Sequence, residues 1–112
     1  MDSKTHLLLK IPGLSILLRR YFPLTYSNIL GVKFGKNCKF INPKYGSEPY
    51  LITIGDNVTL SNVSFITHDG SCRLFRDKYP NFDIIKPIKI GSNVFIGYGT
   101  ILMPGSEISD NS

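Results

Sequence analysis

The sequence predicts an all-β protein, a parallel β-helix of hexapeptide repeats with a short helical segment at its N-terminus. Two observations predict this fold. First, every sixth residue counted from residue 54 is isoleucine or leucine on both sides of a central gap: Ile54, Leu60, Ile66, Ile90, Ile96, Leu102 and Ile108. Second, the residue after this position is glycine in three copies, Gly55, Gly91 and Gly97, and serine in two others.

A six-residue period explains how such a chain would bury its core. Six is a multiple of the two-residue period of a strand, so the aliphatic side chain returns to the same face in every repeat. A small residue beside it lets the chain turn where a larger side chain would collide. Three short strands then make one coil, and stacked coils bury the aliphatic column. A β-sandwich is the alternative, but its hairpins reverse the chain and need no constant period.

Two stretches of the chain depart from the repeat. A looser copy starts at Phe34 and is two residues out of phase with Ile54, a difference that a loop at 42–50 is expected to absorb. The second stretch, 67–87, is rich in charge and is expected to project as a loop. Since Ile90 follows Ile54 by 36 residues, the length of two coils, this loop is predicted to replace repeats without changing the phase.

The N-terminal segment, residues 1–30, is predicted to be a helical cap, and the β-helix, expected to be incomplete at its C-terminus, fills residues 31–112. A helix over 14–21, ended by Pro23, would cover the open end of the coils, since solenoids require end caps. Lysine and arginine beside the leucines also fit a helix at a membrane surface. The cap is the favoured interpretation, and peripheral membrane contact is the alternative.

Composition narrows the possible functions. The chain of 112 residues suits one domain, with 42% hydrophobic and 19% charged residues. Its two cysteines have no paired spacing, so we expect no disulfide framework, no metal site and a cytoplasmic location. The net charge of +5 comes from scattered cations, a pattern that argues against nucleic-acid binding. The apolar stretch 7–18 is too short and too interrupted for a membrane span, and no signal-peptide cleavage site follows it.

Three segments carry a resemblance to a known family: 54–58 (IGDNV), 65–70 (FITHDG) and 90–97 (IGSNVFIG). Together they resemble the hexapeptide-repeat acyltransferases, and within them the maltose and galactoside O-acetyltransferase branch, including members that acetylate capsular or exopolysaccharide sugars. The resemblance implies a left-handed β-helix and a homotrimer with active sites in the grooves between subunits. It also implies acetyl-CoA as co-substrate and a sugar or polysaccharide precursor as acceptor.

The resemblance also implies a general base and an acceptor site. The family's histidine matches His68, which would take the proton from a sugar hydroxyl as its oxygen attacks the thioester. Asp69 is expected to bind the acceptor or to orient the imidazole, although neighbouring strand residues point to opposite faces. Asn42 matches an acceptor-binding asparagine of the family by its spacing. His6 is interpreted as a solvated residue of the leader.

A cofactor-binding region is implied further along the chain. Phe95 occupies a place where family members often carry tryptophan near the acyl groove. Gly97, Tyr98 and Gly99 would present backbone at a coil corner, where the pantetheine arm can approach closely. Cys72 lies four residues after His68 and suggests covalent catalysis, but the family chemistry does not use it.

Other functions stay open at the level of sequence. The chain could be a non-catalytic trimeric scaffold or an inactive truncated form, because the expected CoA-phosphate contact lies beyond its last repeat. It could also transfer the acetyl group to an amine, as in an amino sugar, since the same groove serves either acceptor. The O-acetyltransferase is the favoured hypothesis because His68 stands at the motif position.

Overall fold

The computed structural model describes residues 13–69 and 84–112, and its elements are mostly short parallel strands. Two helices, α1 (Leu14–Tyr21) and α2 (Pro23–Leu30), come first, and a 3-10 turn lies at Pro49–Leu51. The strands are β1 (Lys39–Ile41), β2 (Lys44–Tyr45), β3 (Ile52–Ile54), β4 (Val58–Ser61), β5 (Ser64–Phe65), β6 (His68–Asp69), β7 (Ile84–Ile85), β8 (Ile88–Ile90), β9 (Val94–Ile96), β10 (Ile101–Leu102) and β11 (Glu107–Ile108). In this part of the chain, no helix has the length and apolar character required to cross a membrane.

The strands form three parallel sheets, each of which takes one strand from successive turns of the chain. Sheet A has the order β3-β8-β11, sheet B has β1-β4-β9, and sheet C has β2-β5-β10. The chain therefore visits sheets A, B and C in turn and stacks each coil on the previous one. The prediction of a parallel, β-helix-like all-β fold is confirmed.

The core is a column of aliphatic and aromatic side chains between the three sheets. Four strands of sheets A and B alternate strictly between buried and exposed residues: β1, β3, β8 and β9. Five of the seven residues predicted to point inward are buried: Ile54, Leu60, Ile90, Ile96 and Leu102. Ile108, near the end of the stack, is half-buried and packs against the same cluster. The inward-facing prediction is confirmed for these residues.

The prediction was wrong for Ile66. Phe65 and Val63 are buried, whereas Ile66 is only half-buried. The step from Leu60 to Phe65 is five residues, because Asn62 turns the chain with a φ of 49°. One residue fewer in a strand moves every following side chain to the other face.

The same five-residue step occurs in the first coil, from Phe40 to Tyr45. Asn42 turns the chain there, with a φ of 48°, and its Nδ2 donates a hydrogen bond to Asn62 Oδ1 at 2.7 Å. Asparagine tolerates the left-handed conformation better than most residues. Asn42 shortens the first coil by one residue, and the step from Tyr45 to Ile54 is nine residues instead of six, so together they give the two-residue offset between Phe34 and Ile54.

The spacing between Ile54 and Ile90 also differs from the prediction. These residues are direct partners in β3 and β8, so the 36 residues between them make one coil and not two. The coil is long because it carries the 67–87 insertion. The insertion begins and ends at β6 and β7, which pair antiparallel, and the Lys86 amide donates to the Thr67 carbonyl at 3.0 Å. Residues 70–83 lie outside the described residues.

The corner between sheets A and B is the most regular part of the stack. Asn57, Asn93 and Asn111 all have positive φ, and each Nδ2 donates to the next Oδ1 along the stack, at 3.0 and 3.2 Å. A Cβ atom on Gly91 would lie 2.8 Å from the Asp110 amide nitrogen, so a larger residue does not fit. We call residues 55–57, 91–93 and 109–111 the asparagine corner.

The helical segment covers the first coil through α2. Helix α1 has the predicted bounds, but Pro23 begins a second helix instead of ending the segment, as proline does well in a first helical turn. The Tyr26 ring stacks on Tyr45 with centroids 5.9 Å apart, and Tyr45 in turn contacts Phe65 at 5.3 Å. These rings extend the sheet C core column from the coils to α2.

A buried hydroxyl pair strengthens this contact. Ser27 is fully buried, and its Oγ donates to the Pro23 carbonyl at 2.8 Å, so the Tyr45 hydroxyl donates to Ser27. Burial raises the pKa of Tyr45 strongly, because its ionised form would lose hydration. The neutral phenol is therefore the form that belongs to the folded state.

Candidate functional site

His68 lies where the chain leaves the second coil. It begins β6, directly after the fully buried Thr67, and its side chain is 30% exposed. Its Nδ1 lies 3.5 Å from Oε1 of Glu48, whose side chain is 13% exposed. The imidazole therefore has one edge at a largely buried carboxylate and is still accessible to solvent.

Glu48 is held in place through both its carboxylate and its backbone carbonyl. Its Oε2 accepts a hydrogen bond from Thr67 Oγ1 at 2.9 Å, while its backbone carbonyl accepts from the Leu51 amide at 3.2 Å in the turn at Pro49–Leu51. Upstream, a Cβ on Gly46 would lie 3.2 Å from the Phe65 carbonyl oxygen, so the chain passes close to the second coil there. Glu48 and His68 therefore meet across neighbouring coils.

This arrangement suits proton transfer at His68. A carboxylate at Nδ1 favours the tautomer that carries its proton on Nδ1 and its lone pair on Nε2. Thr67 donates a hydrogen bond to the second carboxylate oxygen, and this bond fixes the position of the Glu48 side chain. In such a pair, the carboxylate orients the imidazole as a general base without contacting a substrate.

Sequence reasoning missed Glu48, although a signal for it exists. Residues of the first coil pair with residues 20 positions later, as Phe40 does with Leu60 and Tyr45 with Phe65. The same offset carries residue 48 to residue 68. It is visible in the sequence as the spacing of Asn42 and Asn62, but the six-residue period alone does not reveal it.

The predicted acceptor residues lie in two different places. Asp69 follows His68 on β6, where it pairs with Ile84. Asn42 lies at the corner between sheets B and C, where its amide donates to Asn62. An acceptor at Asn42 would compete with this bond, or use the amide oxygen. The acceptor roles of both residues stay predictions.

The predicted cofactor residues form an exposed ridge on the third coil. Phe95 points outward from β9 and is 67% exposed, and Tyr98 at the following corner is 80% exposed. Gly99 has a φ of 79°, which favours glycine, and a Cβ on Gly97 would meet only the Phe95 ring at 4.0 Å. The cofactor-binding role of these four residues stays a prediction.

The ridge and His68 lie at opposite ends of sheet C. The Gly99 amide donates to the Ser61 carbonyl, before β5 begins, whereas His68 follows β5 on the far side. Strand β5 therefore separates the two predicted regions along the chain.

Other reactive side chains form no second cluster within the described residues. In the described ranges, no group of three histidine, cysteine, aspartate or glutamate residues is placed to hold a metal ion. Cys38 is half-buried, with its Sγ 3.3 Å from the Gly55 carbonyl oxygen. Cys72 and His6 lie outside the described residues, so the sequence interpretation of both is untested.

Two curated proteins are similar to the chain. It is 51% identical over 80 residues to Protein CapG of Staphylococcus aureus, covering 68% of this chain and 46% of that protein. It is 33% identical over 97 residues to a Schizosaccharomyces pombe protein named "Putative acetyltransferase", covering 80% of this chain and 44% of that protein. The chain thus spans about half the length of the curated relatives it matches. Neither a family model nor a solved structure matches it. One of these two relatives carries the name of an acetyltransferase.

Proposed function

We propose that the chain belongs to an enzyme that transfers an acetyl group from acetyl-CoA to a sugar hydroxyl, with His68 as general base. The observation that carries this proposal is the approach of His68 Nδ1 to Glu48 Oε1 at 3.5 Å, on a partly exposed edge of the coils. The acetyltransferase relative supports the reaction class. We also infer a left-handed winding of the coils and a cytoplasmic location.

The proposed step uses His68 for proton transfer and Glu48 for positioning. Nε2 of His68 takes the hydroxyl proton as the sugar oxygen attacks the acetyl carbonyl. The new C–O bond forms, the C–S bond of the thioester breaks, and the proton passes to the departing CoA sulfur. Glu48 keeps the Nδ1 proton in place throughout, and Asp69 and Asn42 are assigned to the acceptor.

Acetyl-CoA is assigned to the ridge formed by Phe95, Gly97, Tyr98 and Gly99. Exposed aromatic rings and an open glycine backbone suit the pantetheine arm and the acyl group. Because this ridge and His68 lie at opposite ends of sheet C, a complete site needs His68 from one chain and the ridge from another. We therefore propose a homotrimer, in which each groove has walls from two subunits, with residues 1–30 as the cap of each β-helix.

The test is CoA thiol release from acetyl-CoA in the presence of a panel of sugars and amino sugars. We expect acceptor-dependent release with sugar hydroxyls, and a loss of about 10²–10⁴-fold in His68→Ala, the usual value of a general base. Ile66→Ala, next to the site but without a reacting group, is the matched control. Release only with amino sugars would replace the O-acetyl assignment by an N-acetyl one.

Two outcomes would contradict the enzyme itself. Absence of turnover with every acceptor would favour the scaffold. Turnover that survives His68→Ala but disappears in Cys72→Ser would favour covalent catalysis. Light scattering should show three chains, and an active monomer would contradict the shared groove.

A further inference from the structure

Helix α1 exposes several large apolar side chains. None of its residues is fully buried, and three apolar residues are exposed together with Arg20: Ile16 at 61%, Leu17 at 50% and Tyr21 at 63%. These residues lie one, four and five positions apart, which places them on one face of the helix. Phe22, directly after the helix, is 58% exposed and extends this face towards α2.

The other side of the helix, with Leu14, Ser15, Leu18 and Arg19, is half-buried. Arg19 is half-buried, and its Nε is enclosed with no hydrogen-bond partner among the described residues. Its charge acts on the Tyr26 hydroxyl of α2, where it opposes the rise in that tyrosine's pKa caused by burial. A surface helix normally buries most of its apolar side chains, whereas Ile16, Leu17, Tyr21 and Phe22 are exposed among the described residues.

Charge indicates what covers this face. Between residues 3 and 47 the sequence contains eight lysine or arginine residues and no acidic residue. Arg20, on the exposed face, lies over the Tyr21 ring at 5.7 Å. A surface that matches this face must have an apolar region for the apolar side chains and anionic groups for Arg20. A second copy of this chain does not match, because it would bring the same cations to the contact.

We propose that the outer face of α1, formed by Ile16, Leu17, Arg20, Tyr21 and Phe22, docks on the surface of an anionic lipid bilayer. The helix would lie in the plane of the interface, with aliphatic side chains in the acyl boundary and Arg20 at the headgroups. Tyrosine and phenylalanine suit the interfacial layer because their rings are apolar and tolerate its depth. This docking is independent of the acetyl transfer.

The test is sedimentation of the full chain with vesicles of phosphatidylcholine alone or mixed with phosphatidylglycerol. We expect binding to the anionic vesicles only, weakening as salt is added, because a lipid surface potential falls off within a Debye length. Ile16→Ser combined with Leu17→Ser should weaken the vesicle partition by about tenfold or more, since both lose apolar area at the boundary. Arg20→Gln should weaken it roughly fivefold.

The chain offers matched controls on the coils. Ile101, on β10, is 59% exposed, almost as much as Ile16, so Ile101→Ser should leave vesicle binding unchanged. Lys89→Gln on β8 is the control for Arg20→Gln. Circular dichroism confirms that each variant folds. Equal loss in the Ile101 and Ile16 variants would overturn the proposal, as would no binding to anionic vesicles at low salt. Association between copies that is lost in the Ile16 and Leu17 variant, without vesicle binding, would show that a second copy is the occupant instead.

Discussion

Two corners of the coil stack differ in regularity: the regular corner stabilises the stack, and the irregular corner carries the candidate site. The asparagine corner repeats the same turn in successive coils, with hydrogen bonds that connect Asn57, Asn93 and Asn111. The corner between sheets C and A differs in every coil: it holds the turn at Pro49–Leu51 in the first coil and the 67–87 insertion in the second. We call it the insertion corner. Glu48 and His68 lie there. A repeated turn satisfies the backbone, whereas an irregular one can place unlike side chains together.

The largest expected effect tests the phase of the chain as it approaches the insertion corner. Phe65→Ala should destabilise the protein by about 3–5 kcal/mol, because the ring is buried and contacts Tyr45. Ile66→Ala, one residue later and half-buried, should cost much less. Urea unfolding of both variants measures the difference. If Ile66→Ala were the more damaging substitution, the strict six-residue phase would be correct and the five-residue step wrong.

The next effect tests the close packing of the asparagine corner. Gly91→Ala should destabilise the protein by about 1–3 kcal/mol, because the new methyl group would meet the backbone of the adjacent coil. Gly97→Ala is the matched control, since only the flexible Phe95 ring lies near its Cβ position, at 4.0 Å. Thermal unfolding would compare the two. Similar melting temperatures would mean that the corner has room to relax.

The chemistry of the insertion corner is tested by Glu48→Gln, which keeps the shape of the side chain and removes its charge. We expect a loss of about tenfold or more in kcat/KM, because the His68 tautomer is no longer held, and a changed pH profile of the rate. Thr67→Val is the companion variant and should have a smaller effect of the same kind. A rate reduced only in proportion to lost stability, with an unchanged pH profile, would reduce Glu48 to a structural residue.

The smallest effect concerns the contact between α2 and the first coil. The pKa of Tyr45 is raised in the folded protein. As the pH rises, the unfolded chain therefore loses the Tyr45 proton near the ordinary tyrosine pKa of 10.0, whereas the folded chain still holds it. The contribution of Tyr45 to stability should therefore be constant below pH 10 and fall as the pH rises further. Tyr45→Phe should lower stability by about 1 kcal/mol near neutrality, through the lost bond to Ser27, and make the alkaline fall shallower. An equally steep fall in this variant would point to another group.

The repeat predicted the parts of the fold that depend on local sequence. Ile54, Leu60, Ile90, Ile96 and Leu102 are buried as expected, and Gly55 and Gly91 lie where neighbouring coils approach closely. Ile66 was misassigned because Asn62 shortens the step by one residue, and a single asparagine is a weak signal within a strand pattern. Pro23 was read as a helix end because proline cannot continue a helix, yet it equally well begins one.

The candidate site divides in the same way. His68 was identified from the sequence by resemblance, whereas Glu48 was not, because their approach depends on an offset of 20 residues between the first two coils. That offset differs from the 36 residues between the second and third coils at Ile54 and Ile90. Loop lengths set these offsets, so a constant period does not determine which polar side chains meet.

The sequence by itself determined the six-residue rhythm, the small residues at the tight corner and the parallel stacking of short strands, because each follows from backbone geometry within a few residues. Only the tertiary structure decided the partner of His68, the number of coils between Ile54 and Ile90, and the exposure of Ile16, Leu17 and Tyr21 on α1. These depend on contacts between distant segments, where the lengths of the intervening loops choose among arrangements that local sequence allows equally.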